Sequence, residues 1–446
     1  MEIFKAYDIR GLYNRDFNKN DVQKIGFFIP RLLNAKKVLV GRDVRTSSDE
    51  IFEYLTKGIT EAGADVYDIG LATTPMVYYS TAHYGFNASV MITASHNPKE
   101  YNGLKISRKD ALPVGYDTGL SEIEKWMETE IMVASENKGK IIPFEIRADY
   151  LNFMRKYLSD FSNLKMAVDC SNGMSSLLVR DLLGNLPVYI FEKPDGTFPN
   201  HEPNPLIPEN TADLKKVVLK EHCDIGVIFD GDADRVMFVD EKGQFISPDL
   251  MIAVLGIYFS TKEKGRALQD IRTSKAVKEY VEKLDYQMYM WRVGRAYAAL
   301  KLRQINGLFG GELAGHYYFR DFYYSDSGML ACLIILNVFS EMKKQGKTVS
   351  KLMAEIAGGY INSGEINFKI QQKAEAMEAI KDYFMGQEKA TAFYDFDGYR
   401  VEFRDWWFNI RPSNTEPYLR FLAEALSRDL LDKKLAEVNR ILAQFK

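Results

Sequence analysis

Three aspartates, Asp230, Asp232 and Asp234, alternate in DGDADR (230–235), directly after the apolar run Val227-Ile228-Phe229. Three carboxylates this close repel one another unless a cation joins them, and hard divalent cations such as Mg2+ take oxygen ligands of this kind. An EF-hand shares the D-x-D-x-D spacing, and Glu241 even falls at its twelfth position. Its sixth position needs glycine for a sharp turn, however, and here it is Arg235. Residues 236–239 also read as strand where an EF-hand needs its exiting helix. Two alternatives stay open on this pattern: a phosphatase with Asp230 as nucleophile, and a plain acidic turn.

A second loop holds a nucleophile. In TASHNPKEYNGLKI (93–106) the apolar run 90–92 ends in a polar loop carrying Ser95, His96, Asn97 and Pro98. Neighbouring residues of extended chain point to opposite sides, so His96 is poorly placed as a base for Ser95. The G-x-S-x-G elbow of serine hydrolases is absent. A serine held out by such a loop reads better as the carrier of a phosphoryl group, one oxygen of which would complete the metal shell begun by the three aspartates. A simple Asn-Pro turn is the bland alternative.

Three further segments carry chemistry. GELAGH (311–316) lacks the lysine of a phosphate-binding P-loop; its glycines allow close approach to a ligand, and Glu312 is able to accept two neighbouring sugar hydroxyls. His316 reads equally as structural or functional. RPSNTEP (411–417) joins Arg411, Ser413, Asn414 and Thr415, a cation with hydroxyls and an amide, as a phosphate cradle would. KAYDIRG (5–11) offers Arg10, whose guanidinium suits a transferring phosphoryl group.

These loops need elements to present them. Three blocks repeat one order of apolar strand, helix, strand, helix and strand, with strands near 37–45, 64–70 and 88–98, then 164–173, 186–196 and 223–235, then 265–274, 285–294 and 306–316. The alternation predicts α/β domains with mixed, mostly parallel sheets. The third strand of each block leads into one of the chemical loops, at the sheet edge where ligands bind in such folds. From about residue 359 the pattern changes to a smaller α+β unit, with strands at 361–370, 398–411 and 417–425 and helices at 372–385 and 429–445. The expected domains are 1–147, 148–245, 246–358 and 359–446.

Bulk properties narrow the class. A chain of 446 residues with 46% hydrophobic and 27% charged content has ample core for several domains. Its net charge of −3 argues against nucleic acid as a partner, so an anionic ligand must be held by local cations. The three cysteines, Cys170, Cys223 and Cys332, form no disulfide or zinc pattern. Without a membrane-length apolar run or a signal-peptide layout, the expectation is a cytoplasmic protein with no membrane partner.

Taken together and in order, KAYDIRG, GRDVRTSS, TASHNPKEYNGLKI, PDGTFPNHEPNP, DGDADR, GELAGH and RPSNTEP resemble the α-D-phosphohexomutase family, and within it the phosphomannomutase/phosphoglucomutase branch. The resemblance covers essentially the whole chain. It implies four domains around a central cleft, a phosphoserine at Ser95, and Mg2+ held by Ser95, Asp230, Asp232 and Asp234. It implies catalytic roles for Arg10, Lys105, His96 and Arg235. It implies substrate binding by Glu312, which would read the sugar 3- and 4-hydroxyls, and by His316, Gly294 and Arg292, with Arg411, Ser413, Asn414 and Thr415 on the phosphate that is not transferred. Hexose 1-phosphate and hexose 6-phosphate would interconvert through a hexose 1,6-bisphosphate, in a monomer or dimer. The chain departs from the family pattern in three places. Ala314 stands where serine is common, removing one hydroxyl contact worth about 1 kcal/mol. Arg292 and Arg295 stand where lysine and histidine are frequent. A phosphoglucosamine mutase is the alternative within the family, although that branch usually carries DGDGDR, GEQSGH and RPSGTEP. A sugar-phosphate phosphatase or a non-catalytic binder is the alternative outside it.

Overall fold

A computed structural model describes residues 2–413 and 418–445. Each of the nine strands of the repeat is present. In the first block Lys37–Arg42 lies between Asp65–Leu71 and Ala88–Ile92, parallel to both. In the second, Met166–Asp169 lies between Val188–Ile190 and Ile225–Phe229; in the third, Arg266–Asp270 lies between Gln287–Trp291 and Phe309–Gly311. The helices between them are the right length for crossovers that return the chain in the same direction.

The third strand of every block behaves differently. It ends in a short loop and doubles back as an antiparallel partner. Ala88–Ile92 pairs with Tyr101–Arg108, Ile225–Phe229 with Val236–Asp240, and Phe309–Gly311 with Tyr317–Phe319. Each sheet is therefore mixed, parallel through the repeat and antiparallel beyond it. The doubling back closes each chemical loop at its base. Phe229 sits opposite Val236 and Gly311 opposite Tyr317, so residues 230–235 and 312–316 are hairpin loops held by paired strand ends. The strands leading into the first two loops, Ala88–Ile92 and Ile225–Phe229, are buried at every residue, as their apolar sequences require.

Two expectations need adjustment. The boundary expected at 245 cuts the strand Phe245–Ile246, which pairs with Val236–Asp240; Ile246 belongs to the second sheet. The stretch 398–411 is not one strand but a hairpin, Tyr399–Glu402 against Trp406–Pro412, turning at 403–405. The C-terminal sheet is antiparallel throughout and also contains Ala392–Tyr394, a short strand without a clear alternating pattern. Among the described residues, no helix is long and apolar enough to cross a membrane.

One close backbone approach positions the site. The N-terminal strand Ile9–Leu12 pairs with Tyr101–Arg108 so that Arg10 stands opposite Gly103. With the two-residue period of a strand, Lys105 shares that face, diagonal to Arg10. Gly103 permits this because a Cβ there would lie 2.2 Å from the Ile9 carbonyl oxygen. Gly103→Ala is expected to lower stability by about 1–3 kcal/mol, the range for overpacking a tight contact. A fall in the urea denaturation midpoint measures it.

Candidate active site

The three hairpin loops meet at one cleft. Ser95 is 1% exposed, and its Oγ donates to Asp230 Oδ2 at 2.9 Å, across a separation of 135 residues. Asp230, Asp232 and Asp234 are fully buried, with carboxylate oxygens of all three within 4.8 Å of one another. Backbone hydrogen bonds stitch the loops together. The Thr74 N–H donates to the Asp232 carbonyl at 3.0 Å, and the Val236 N–H to the Gly315 carbonyl at 3.3 Å.

Cations from the first sheet answer the aspartates. Lys105 Nζ lies 2.6 Å from both Asp232 Oδ2 and Asp234 Oδ2. Burial alone would lower its pKa, but the two carboxylates raise it well above the usual lysine value, so the ammonium stays charged. Arg10 pairs with Asp8 and donates to Asn97 Oδ1 at 2.7 Å; against its burial, Asp8 and the metal-loop aspartates raise its pKa. Arg235 Nε stands 3.8 Å from Asp230 and from Asp234, and the Arg235 backbone N–H donates to Asp230 Oδ1 at 3.1 Å.

The aspartates still have capacity left. Asp232 Oδ1 and Asp234 Oδ1 are buried without a hydrogen-bond partner among the described residues. Burial and the neighbouring charges of Asp234 and Asp232 push the Asp230 carboxyl well above the usual range. Buried, unpaired hard oxygens crowded together are the donor set of a divalent cation. These residues therefore fit a metal ion, with Ser95 Oγ adjacent. Glu241, the residue that mimics an EF-hand's last ligand, accepts instead from the Ser350 N–H and hydroxyl and takes no part.

His96 is adjacent to the serine but weakly engaged, with Nδ1 3.5 Å from Ser95 Oγ. Burial and the surrounding Arg235, Arg10 and Lys105 hold its pKa well below the ordinary value, so the ring is neutral. His316 faces the same cleft from the third loop. Its Nδ1 is 2.7 Å from Asp326 Oδ2.

Glu312 is 2% exposed and accepts from the Gly294 N–H at 3.1 Å and the Tyr318 hydroxyl at 2.5 Å. Burial raises its carboxyl pKa despite nearby His316. Gly294 has φ +119, and the Tyr7 ring fills the space a Cβ would need, 2.6 Å away. Ala314 lines the cleft with Glu312 and offers no hydroxyl. Arg292 differs from its neighbours: its guanidinium stacks 4.0 Å over the Tyr297 ring, and it is not among the residues lining the cleft. Arg295 does line it, bound to Asp326 at 3.0 Å and lying 3.6 Å over the Tyr78 ring.

Arg411 and Ser413, the described residues of the fourth chemical group, are not among those lining the cleft with Ser95. Arg411 is 3% exposed and 3.4 Å from Asp397, whose other oxygen accepts the Val293 N–H at 2.8 Å. Burial and then Arg272 lower its pKa. Arg411 is thus linked to the 292–294 turn through one shared carboxylate. The Ser413 N–H donates to the Tyr418 carbonyl at 2.9 Å; Asn414 and Thr415 lie outside the described residues.

Some participants are not among the residues that the sequence singles out. Asp8 sits inside KAYDIRG and Arg45 inside GRDVRTSS, so motif membership is a signal for both. Asp326 and Thr74, which donates to Asp232 Oδ2 at 2.5 Å, have no such signal.

Comparisons with known proteins agree on one family. The chain matches the phosphoglucomutase/phosphomannomutase alpha/beta/alpha domain I over residues 1–133, domain II over 148–243 and domain III over 247–360, and the C-terminal domain of that family over 365–441. It is 35% identical to a phosphomannomutase of Methanocaldococcus jannaschii, covering 100% of this chain and 98% of the relative. It is 34% identical to a phosphomannomutase of Escherichia coli, covering 95% of each. A solved phosphoglucomutase/phosphomannomutase family protein of Burkholderia thailandensis superposes with a TM-score of 0.84 at 26% identity, covering 99% of this chain and 96% of that one.

The carboxylate geometry generates a direct test. Titration with Mg2+ by calorimetry is expected to reveal one site. Asp234→Asn is expected to weaken it by at least the roughly 10- to 100-fold that losing even an outer-sphere partner costs. Unchanged affinity would place the cation elsewhere.

Proposed function

This chain belongs to the phosphoglucomutase/phosphomannomutase family, and from that premise we propose that it is a phosphohexomutase interconverting hexose 1-phosphate and hexose 6-phosphate. The observation that carries the proposal is the convergence on Ser95. A buried serine hydroxyl lies 2.9 Å from a metal-ready aspartate, in a cleft shared with Arg10, Lys105, Arg235 and Glu312.

The reaction is two phosphoryl transfers. Phosphorylated Ser95 gives its group to the 6-hydroxyl of a hexose 1-phosphate: the Oγ–P bond breaks and the O6–P bond forms. The resulting 1,6-bisphosphate turns over in the cleft. Its 1-phosphoryl group returns to Ser95 Oγ, leaving the 6-phosphate. Added hexose 1,6-bisphosphate acts as activator by phosphorylating Ser95.

Phosphoryl transfer asks mainly for positioning and charge stabilisation. Arg10 and Lys105 are both held charged by the carboxylates around them, so each stabilises the transferring group. Arg235 supports it from the opposite loop. Mg2+ on Asp230, Asp232, Asp234 and the Ser95 oxygen would neutralise charge on the transferring phosphoryl group. The attacking hydroxyl also releases a proton. His316 lines the same cleft and is the group proposed to take it: with Nδ1–H donating to Asp326, a neutral ring would offer Nε2. His96, neutral and beside Ser95, adds no charge of its own. Glu312 reads sugar hydroxyls, with Gly294 beside it. Arg411 and Ser413, with Asn414 and Thr415, receive the distal phosphate.

The sugar is proposed to be mannose, glucose or both, supported by relatives named phosphomannomutase. Ala314 leaves the sugar contact to Glu312 and its neighbours. The cytoplasm is the proposed compartment, and the proposed domains are those expected from the sequence with the second extended to Ile246.

Phosphorus NMR tests the function. Protein with Mg2+ and a trace of hexose 1,6-bisphosphate is expected to convert mannose 1-phosphate or glucose 1-phosphate to the 6-phosphate. Ser95→Ala is expected to lower the rate by roughly 10^4- to 10^6-fold, as loss of a nucleophile does, with an unchanged melting temperature. Release of inorganic phosphate alone would indicate a phosphatase, and turnover surviving in Ser95→Ala would remove the phosphoserine.

A further inference from the structure

The serine loop is wrapped around a buried cation that is not among the residues lining the cleft. Arg45 is 2% exposed. One terminal nitrogen, Nη1, donates to the carbonyls of Pro98 at 2.7 Å and Tyr101 at 3.0 Å. The other, Nη2, donates to the carbonyls of Ser95 at 2.8 Å and Asn97 at 2.7 Å. Nε donates to Asp43 Oδ2 at 3.2 Å. All five N–H bonds of the guanidinium are therefore used, four of them on the backbone of a single loop. Asp43 is fixed in turn by the Ser48 hydroxyl at 2.6 Å and by the Arg45 N–H at 3.0 Å. From the second sheet's side, the Phe198 ring covers the guanidinium at 5.1 Å.

This arrangement bears on the conformation of Ser95 itself. Its φ is 51°, in the left-handed region that residues other than glycine seldom enter. Such a conformation persists where the surroundings over-determine it. Here the Ser95 N–H donates to Thr93 Oγ1 at 2.8 Å, and the Ser95 carbonyl accepts from Arg45. Both backbone groups of the serine are held by side chains. The left-handed turn directs Oγ toward Asp230 rather than along the strand direction. Lysine could not replace the fork, since it is a point charge with three donors and no fixed plane.

We infer that Arg45 is a positioning residue for phosphoryl transfer. Without touching the substrate, it fixes the backbone of Ser95 so that Oγ, and the phosphoryl group it would carry, meets the aspartates and the sugar in one orientation. The inference rests on the phosphohexomutase reading and adds a residue to it.

The test is Arg45→Lys, assayed with glucose 1-phosphate or mannose 1-phosphate, Mg2+ and hexose 1,6-bisphosphate. The expected result is a kcat lowered about 10- to 100-fold, the scale of a displacement near 1 Å, with KM for the hexose phosphate within about twofold. Hydrogen exchange is expected to show faster exchange confined to residues 93–103. A wild-type kcat in Arg45→Lys, or a change in KM alone, would overturn the inference while leaving the function intact. Absence of isomerisation in the unsubstituted protein would overturn the function, and the inference with it. If circular dichroism shows that Arg45→Lys does not fold, Phe198→Leu decides. Loosening the cover of the guanidinium is then expected to lower kcat several-fold at constant KM, and an unchanged kcat would overturn the inference.

Discussion

Everything at the centre of this molecule answers one electrostatic problem: three carboxylates packed into a six-residue loop with no exposure to water. Left alone they would repel and protonate. Lys105 neutralises part of that charge from another sheet, 2.6 Å from two of them. Arg235 adds a more distant charge, and the unpaired oxygens of Asp232 and Asp234 leave room for a cation's coordination. The need for positive charge draws the first and second sheets together. Arg10 and Lys105 present that charge from one face of the first sheet, where Gly103 opposite Arg10 lets the two strands pair without a clash.

The same charge balance separates roles among the titratable groups. Lys105 and Arg10 are held charged by the carboxylates they face, whereas His96, buried among cations, is held neutral. His316 takes its orientation from Asp326, which is shared with Arg295. The charged and the neutral groups thus both come from the first sheet's domain, and the orientation of His316 comes from the third. The division follows from which neighbour each group has, not from the side-chain type alone.

Much of this is legible in the amino-acid sequence. The alternation of apolar runs with helical stretches locates the nine repeat strands, most plainly those buried throughout, such as Ala88–Ile92 and Ile225–Phe229, whose sequences are continuously apolar. The loops after the third strands stand out because their residues are expensive to place together. What stays hidden has a common physical cause. Arg45 acts on backbone carbonyls, which every residue possesses, so nothing in 95–101 marks them as its acceptors. Asp326 reaches His316 through a hairpin, ten residues away, with no motif around it. Arg292 lies two residues from Gly294, yet its side chain seeks the face of Tyr297. Nearness along the chain sets the position of its backbone but not the direction of its side chain. The hairpin within 399–412 is hidden because the turn between its arms, 403–405, carries no glycine or proline.

The paired strand ends beneath the loops have a consequence for how such a protein changes over generations. Residues 312–316 are closed at the base by Gly311 opposite Tyr317, and that ladder is made by main chain. A replacement inside the loop therefore alters what is recognised without asking the sheet to repack. Ala314 sits in such a frame, lining the cleft while the ladder beneath it does not depend on its side chain. The architecture behaves as a socket with exchangeable heads: side chains at the tip can change while the paired strand ends beneath keep the path of the loop.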